Sequence, residues 1–174
     1  MEANNFDTIE YLKNGNPRQK EVYDVLIKSG IMDALQQYDP LLVGTIPINI
    51  DIEDSDIDII CCYDDSSEFS GNLIIMFQDL DDFEVTESTD NDAIIAHFTI
   101  DNFKFEIFAQ DIPTRQQSAY RHMMIEHAIL SKHGEAFRQE IINLKNQGME
   151  TEPAFGMLLG LENDPYEELL NYVI

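Results

Sequence analysis

The chain has 174 residues, 44% of them hydrophobic and 25% charged, the profile of one globular domain that buries a core without staples. Ten Lys and Arg stand against 34 Asp and Glu, a formal net charge of −24, which excludes broad electrostatic binding of long DNA or RNA. No apolar run approaches a membrane span, and the start, MEANNFDTIEYLKNG, has no basic segment followed by an apolar one, so a cytoplasmic protein with no membrane partner is expected.

In chain order, residues 1–40 read as helical. Asp7 is expected to cap a short helix over Thr8 to Lys13, ended by Asn14-Gly15-Asn16-Pro17. Pro17 suits the first turn of a second helix with Val22, Leu26 and Ile27 as its apolar stripe, broken at Gly30. A last short helix runs from Ile31 to Tyr38. An apolar strand from Leu41 then meets Gly44-Thr45, and after a polar, acidic turn a second strand begins at Ser55-Asp56-Ile57-Asp58. The only cysteines, Cys61 and Cys62, are adjacent on this strand; they fall on opposite faces, form no framework disulfide and read as buried thiols.

Leu73 to Phe77 with Leu80 predicts an amphipathic helix. Strands over 83–86, 93–100 and 103–109 follow, the last two joined at Asp101-Asn102, as an antiparallel meander. From Pro113 the period becomes helical, with Ala119, Tyr120, Met123, His127 and Leu130 on one face. Further helices are expected around Phe137 to Leu144, from Thr151 to Leu159, and after Asn163-Asp164-Pro165. The whole is α+β in class, a largely antiparallel sheet with helices before and after it. It forms a single domain over 1–174: N-terminal helices (1–40), a sheet core (41–112) and a helical C-terminal part (113–174).

Alternation along the second strand puts Asp56 and Asp58 on one face and Ile57 and Ile59 on the other, while Ile60 and Cys62 continue the Asp face as apolar residues. Two like charges at the mouth of a core repel unless a cation lies between them. In Phe103-Lys104-Phe105-Glu106-Ile107-Phe108 the same alternation isolates Glu106 with Lys104 and Phe108. If this strand lies beside the first, Asp56, Asp58 and Glu106 form a three-carboxylate set suited to a hard divalent cation, Mg²⁺ or Mn²⁺. Gly44 lets backbone N–H groups approach a phosphate, and Thr45 offers a hydroxyl.

Gly44-Thr45, an interval from Ile46 to Asp56, Asp56-Ile57-Asp58-Ile59 and a later Glu106 between apolar neighbours resemble the nucleotidyltransferase superfamily. Its pattern is a Gly-Gly or Gly-Ser turn, an Asp-apolar-Asp strand and a third acid on a later strand. With Gly44-Thr45-Ile46-Pro47-Ile48, Arg121-His122 and Thr151-Glu152-Pro153-Ala154-Phe155, the whole chain is similar to a bacterial family of that fold known only as a domain of unknown function. The resemblance implies a nucleotidyltransferase-like mixed sheet flanked by helices. It implies Asp56, Asp58 and Glu106 as metal-holding, catalytic acids and Gly44 and Thr45 at the triphosphate of an NTP. Ser55, Lys104 and Arg121 are further substrate-binding candidates. Thr45 stands where the family usually has Ser, and Glu106 where it usually has Asp.

The function so implied is Mg²⁺-dependent transfer of a nucleotidyl group from an NTP to a small-molecule or protein acceptor. A catalytically silent nucleotide- or partner-binding module of the same fold is the alternative, and a structural acidic cluster a third. Lys104 is expected to pair with Glu106; Arg121 shares a helix face with Gln117; His122, at i,i+4 from Glu126, is a candidate general base; His97 and His127 read as core residues. No P-loop, dinucleotide-binding glycine pattern or zinc site is present.

Overall fold

A computed structural model describes residues 5–174; part of the start read against a leader, residues 1–4, lies outside the described residues. The element expected over Thr8 to Lys13 is a 3-10 helix at Glu10–Asn14, and no side chain caps it. Asp7 instead meets the Arg115 guanidinium at 2.9 Å, an ion pair that outcompetes the local cap. Helix α1 spans Pro17–Ser29 and α2 Ile31–Ala34, followed by a 3-10 turn at Gln36–Tyr38. Strands β1 (Leu41–Val43) and β2 (Ile57–Cys62) flank the acidic turn. Helix α3 covers Ser66–Phe77, starting earlier than the apolar run suggests because Asp65 caps it through Glu68 N–H.

The meander follows as β3 (Asp81–Ser88), β4 (Ala93–Ile100) and β5 (Phe103–Gln110). The C-terminal part holds α4 (Ser118–His133), α5 (Glu135–Asn146), α6 (Thr151–Leu159) and α7 (Pro165–Leu170). The strands form one five-stranded sheet in the order β1-β2-β5-β4-β3. β2 and β5 pair in parallel, and the other neighbours are antiparallel, so the sheet is mixed.

Alternation divides the sheet's side chains between two cores. Leu42, Ile57, Ile59, Cys61, Phe98, Phe105 and Ile107 pack with Val22, Leu26, Phe69 and Leu73 under α1 and α3. Phe98 stacks between Phe77 and Phe105, with ring centroids 5.1 and 5.3 Å away; each such side chain contributes about 1.5–3 kcal/mol through burial. Leu41, Val43 and Ile60 face the other way, onto Met123, Leu130, Ile141 and Phe155 of α4, α5 and α6. The second core stops short of the sheet's edge, and the space it leaves is a cleft.

The segment 44–50 that follows β1 is tied from two sides. Asn16 and Gln19 form a reciprocal capping box at the start of α1, and the Gln19 amide donates to the carbonyls of Ile46 (2.9 Å) and Pro47 (3.2 Å). From α5, Arg138 donates to the carbonyls of Ile48 and Asn49, and buried Lys145 donates to that of Ile50 at 2.9 Å. Replacing Gln19 by Ala removes the return half of the capping box, Asn16 N–H to the Gln19 side chain, together with the tether to Ile46 and Pro47, and leaves the Asn16 cap on the backbone N–H of residue 19. We expect a loss of about 2–3 kcal/mol in urea-induced unfolding; a loss below about 0.5 kcal/mol, the ordinary surface effect, would contradict this role.

Candidate functional site

Strand register arranges the side chains facing α4–α7 in rows. One row is apolar: Leu41, Ile60, Phe108 and Ile95. The next begins at apolar Val43 and is polar from there on, through Asp58, Glu106, His97 and Glu84. Asp58 and Glu106 are therefore direct partners on neighbouring strands, whose backbones lie about 4.8 Å apart. The expected adjacency of the two acidic strands is met, and the pairing is parallel.

Above Asp58 sits Gly44, at φ +80°, where an added Cβ would stand 2.1 Å from the Asp58 carboxylate. Only glycine accepts both that backbone and that contact. Burial first, then the charges of Glu106 and Asp56, push the Asp58 carboxyl up to about 7, with Lys145 pulling the other way. Thr45 donates its hydroxyl to Ser55 Oγ at 3.4 Å, and Ser55 accepts from the Ile52 N–H at 2.9 Å. The segment from Thr45 closes on itself through Ile50 N–H to Thr45 C=O at 3.1 Å.

The remaining expected site residues are placed unevenly. Asp56 lies one residue before β2, partly buried; its charge reaches Asp58, but it does not line the cleft. Glu106 does line it, and its partner is His97, with Nε2 2.9 Å from Oε2. Lys104 is exposed, opposite Thr99. The expected Lys104–Glu106 pair gives way to a cross-strand one, because His97 stands directly beside Glu106 in register while Lys104 lies a full pleat away. His97 is accordingly an exposed residue of the polar row and not a core histidine. His127 is half-buried, its ring edge-on to Phe6 with centroids 5.0 Å apart.

Arg121 is not brought to this site. It is exposed and borders a separate depression with Arg115, Tyr120 and Leu170. Gln117, expected to share its face, is buried at the start of α4, donating to the carbonyls of Cys61 and Ile112, both at 2.8 Å. The inward stripe of α4 is His122, Met123, Glu126, Ile129 and Leu130, rotated from the apolar count. One residue is 100° of helix, so an inward His122 turns Arg121 away.

The cleft has a volume of about 460 Å³. Gly44, Thr45, Asp58, Glu106 and Phe108 form one wall; Ser118, His122 and Glu126 of α4, Thr151 and Glu152 of α6, and Tyr166 of α7 form the other. The His122 Nε2–H donates to the Tyr166 carbonyl at 2.8 Å, which leaves Nδ1 towards Glu152 at 3.6 Å. Glu126 is 4% exposed, and burial, with Glu152 nearby, holds its carboxyl well above the usual range against the pull of Lys145. Burial lowers the Lys145 ammonium in turn, opposed by Glu126, Asp51, Asp58 and Glu152.

Sequence reasoning did not assign Glu126, Glu152 and Lys145 to this site. The His122/Glu126 spacing was a signal for the first. Lys145 sits four residues after buried Ile141 and so on the same helix face, whereas Glu152 is indistinguishable in sequence from an ordinary first-turn acid. Among the described residues no group of three or more His, Cys, Asp or Glu is gathered as a ready metal site. The donors Asp58 and Glu106 nevertheless have the chemistry a hard cation prefers, and their mutual repulsion is what it would relieve.

Residues 24–172 match a family described as a domain of unknown function, DUF4269. The chain belongs to that family. No protein of curated function matches it. Its fold is that of solved nucleotidyltransferases. The Cid1 poly(U) polymerase with Mg 3'-dATP bound superposes at TM-score 0.57 and 13% identity, over 92% of this chain and 52% of that one. The polymerase core of TRAMP, an RNA surveillance complex, superposes at 0.52 and 15%, over 92% and 50%. A cytoplasmic RNA terminal U-transferase does so at 0.51 and 15%, over 79% and 43%. The chain thus spans about half the length of these proteins.

The raised Glu126 carboxyl has a consequence for stability. Its folded pKa exceeds its unfolded one, so its contribution is complete below the ordinary carboxylate value and is lost as pH rises through the raised range. In metal-free buffer, Glu126→Gln should flatten, relative to the parent, the fall in unfolding free energy as pH rises above the ordinary carboxylate range. Parallel curves for the two proteins would refute the buried-carboxyl assignment.

Proposed function

We propose that this DUF4269 chain binds a divalent-metal NTP complex at the Gly44-Thr45 turn and the Asp58–Glu106 pair, and transfers the nucleotidyl group to a small-molecule or basic-protein acceptor. The observation that carries this reading is the direct opposition of Asp58 and Glu106 beneath Gly44. It supplies two oxygen donors whose like charges a cation would neutralise, beside a turn whose first residue, Gly44, carries no β-carbon.

Asp58 and Glu106, with Asp56 after a side-chain rotation, would hold Mg²⁺ or Mn²⁺, which supplies charge neutralisation for the triphosphate and the departing pyrophosphate. The backbone at Gly44 lets phosphate approach closely, and the Thr45 hydroxyl, on turning its single hydrogen away from Ser55 Oγ, would donate to a phosphate oxygen. Lys104, two residues from Glu106 on the same strand face, is the nearest basic side chain of β5 for the outer phosphates. Glu106 is held by His97; released towards the cleft, it is placed to accept a proton from an acceptor hydroxyl. The net charge of −24 disfavours a long polyanionic acceptor at any distance beyond the screening length.

A silent nucleotide-binding module is the second reading. It is favoured by the absence of any Lys or Arg among the described lining residues and by a Glu106 already paired with His97.

Millimolar Mg²⁺ or Mn²⁺ with an NTP should raise the melting temperature by a few degrees, about 3 kcal/mol at a hundredfold excess over Kd. Asp56→Asn combined with Asp58→Asn should abolish that rise. An unshifted parent would sink both nucleotide readings. Given a shift, pyrophosphate release across a panel of acceptors separates enzyme from binder.

A further inference from the structure

The wall of the cleft opposite Asp58 and Glu106 is itself acidic, and the metal reading does not use it. We propose that Glu126 and Glu152 form a docking site for the ammonium group of a small amine, so that the acceptor entering this cleft is an organic cation. The acceptor role rests on the nucleotidyl-transfer reading; the docking of the amine does not.

The described lining contains four carboxylates, Asp58, Glu106, Glu126 and Glu152, and no lysine or arginine. An acidic lining alone would be unremarked on so acidic a protein, but Glu126 differs from a solvated surface acid. Its Oε1 is buried and has no hydrogen-bond partner among the described residues, on a residue 4% exposed that lines the cavity. An unpaired buried carboxylate oxygen costs several kcal/mol by general reckoning. A fold keeps such a group where a ligand completes it.

Lys145, the cation whose field reaches Glu126, hydrogen-bonds elsewhere. Lys145 lies close enough to attract Glu126 and Glu152, yet its Nζ donates to the Ile50 carbonyl on the turn after β1. Glu152 also has capacity to spare. His122 gives its Nε2–H to the Tyr166 carbonyl, and its Nδ1 stands 3.6 Å from Glu152, beyond a good hydrogen bond. Two carboxylates from different helices, one of them with a buried oxygen that has no partner among the described residues, match the several N–H donors of a protonated amine. Phe108 and Met123 line the same space and offer apolar contact for methylene groups.

The cleft's volume of about 460 Å³ lies in the range of small-ligand sites. Gly44 and Asp58 stand on its other wall, so an amine anchored at Glu126 presents its remaining length towards the nucleotide-facing turn. The raised Glu126 carboxyl fits the same arrangement, since burial penalises its charged form and a cation docked there would offset that penalty.

The test is calorimetric titration of the full chain in EDTA at about 150 mM salt, without nucleotide, using spermidine as probe and tetraethylene glycol as its uncharged counterpart. Saturable one-to-one binding of spermidine, absent for the glycol, is expected. Glu126→Gln and Glu152→Gln should each weaken it by about 10- to 100-fold, the cost of one charge-assisted hydrogen bond. Asp24→Asn with Asp79→Asn, two exposed acids outside the cleft lining, should leave the affinity within about twofold, as expected of screened surface charge. Non-saturable binding, equal binding of the glycol, equal loss in the surface pair, or an affinity indifferent to Glu126→Gln would overturn the proposal. A nucleotide-induced melting shift that survives such a failure leaves the transfer reading intact.

Discussion

The parallel pairing of β2 with β5 forces Asp58 and Glu106 to face one another at the distance of neighbouring strands. The arrangement is unfavourable in itself, and the surroundings have to tolerate it. Gly44 takes away the β-carbon that would strike Asp58, His97 occupies the far side of Glu106, and Lys145 supplies attraction. The apolar row of Ile60 and Phe108 directly below keeps the sheet packed to the edge of this repulsion. An unfavourable electrostatic arrangement thus rests on a well-packed foundation, a combination that marks candidate functional sites.

Strand alternation carried most of what could be read in advance. It separated Asp58 from Ile57 and Ile59, isolated Glu106, and placed the meander, because a half-buried strand writes its two faces directly into the sequence. Helix α4 was less legible. An inward face that looks onto a polar cleft need not be apolar, so counting Ala119, Tyr120 and His127 rotated the helix away from His122 and Glu126. That same rotation accounts for Arg121, whose charge suggested phosphate but whose position is outward. His97 was read as core for a related reason: its pairing with Glu106 depends on register between β4 and β5, which single-strand patterns do not contain.

The cleft is acidic on both walls, an unusual setting for a nucleotide unless other charges accompany it. The two walls make different demands. Asp58 and Glu106 lie on rigid neighbouring strands and share one repulsive field, which suits a compact, hard cation. Glu126 and Glu152 project from separate helices and suit donors spread over a larger group. In a chain about half the length of the solved nucleotidyltransferases it resembles, the C-terminal helices serve as the second wall.

The hydrogen bonds from Arg138 and Lys145 to the turn after β1 join residues 90 and 95 positions apart in sequence. Contacts of that span close a large loop and pay its entropy late in folding. The turn that would meet the phosphates is therefore finished by a helix made long after it on the growing chain. A nascent chain that has completed its sheet holds that turn only from the Gln19 side until α5 docks, so its full bracing arrives with the last third of the polypeptide.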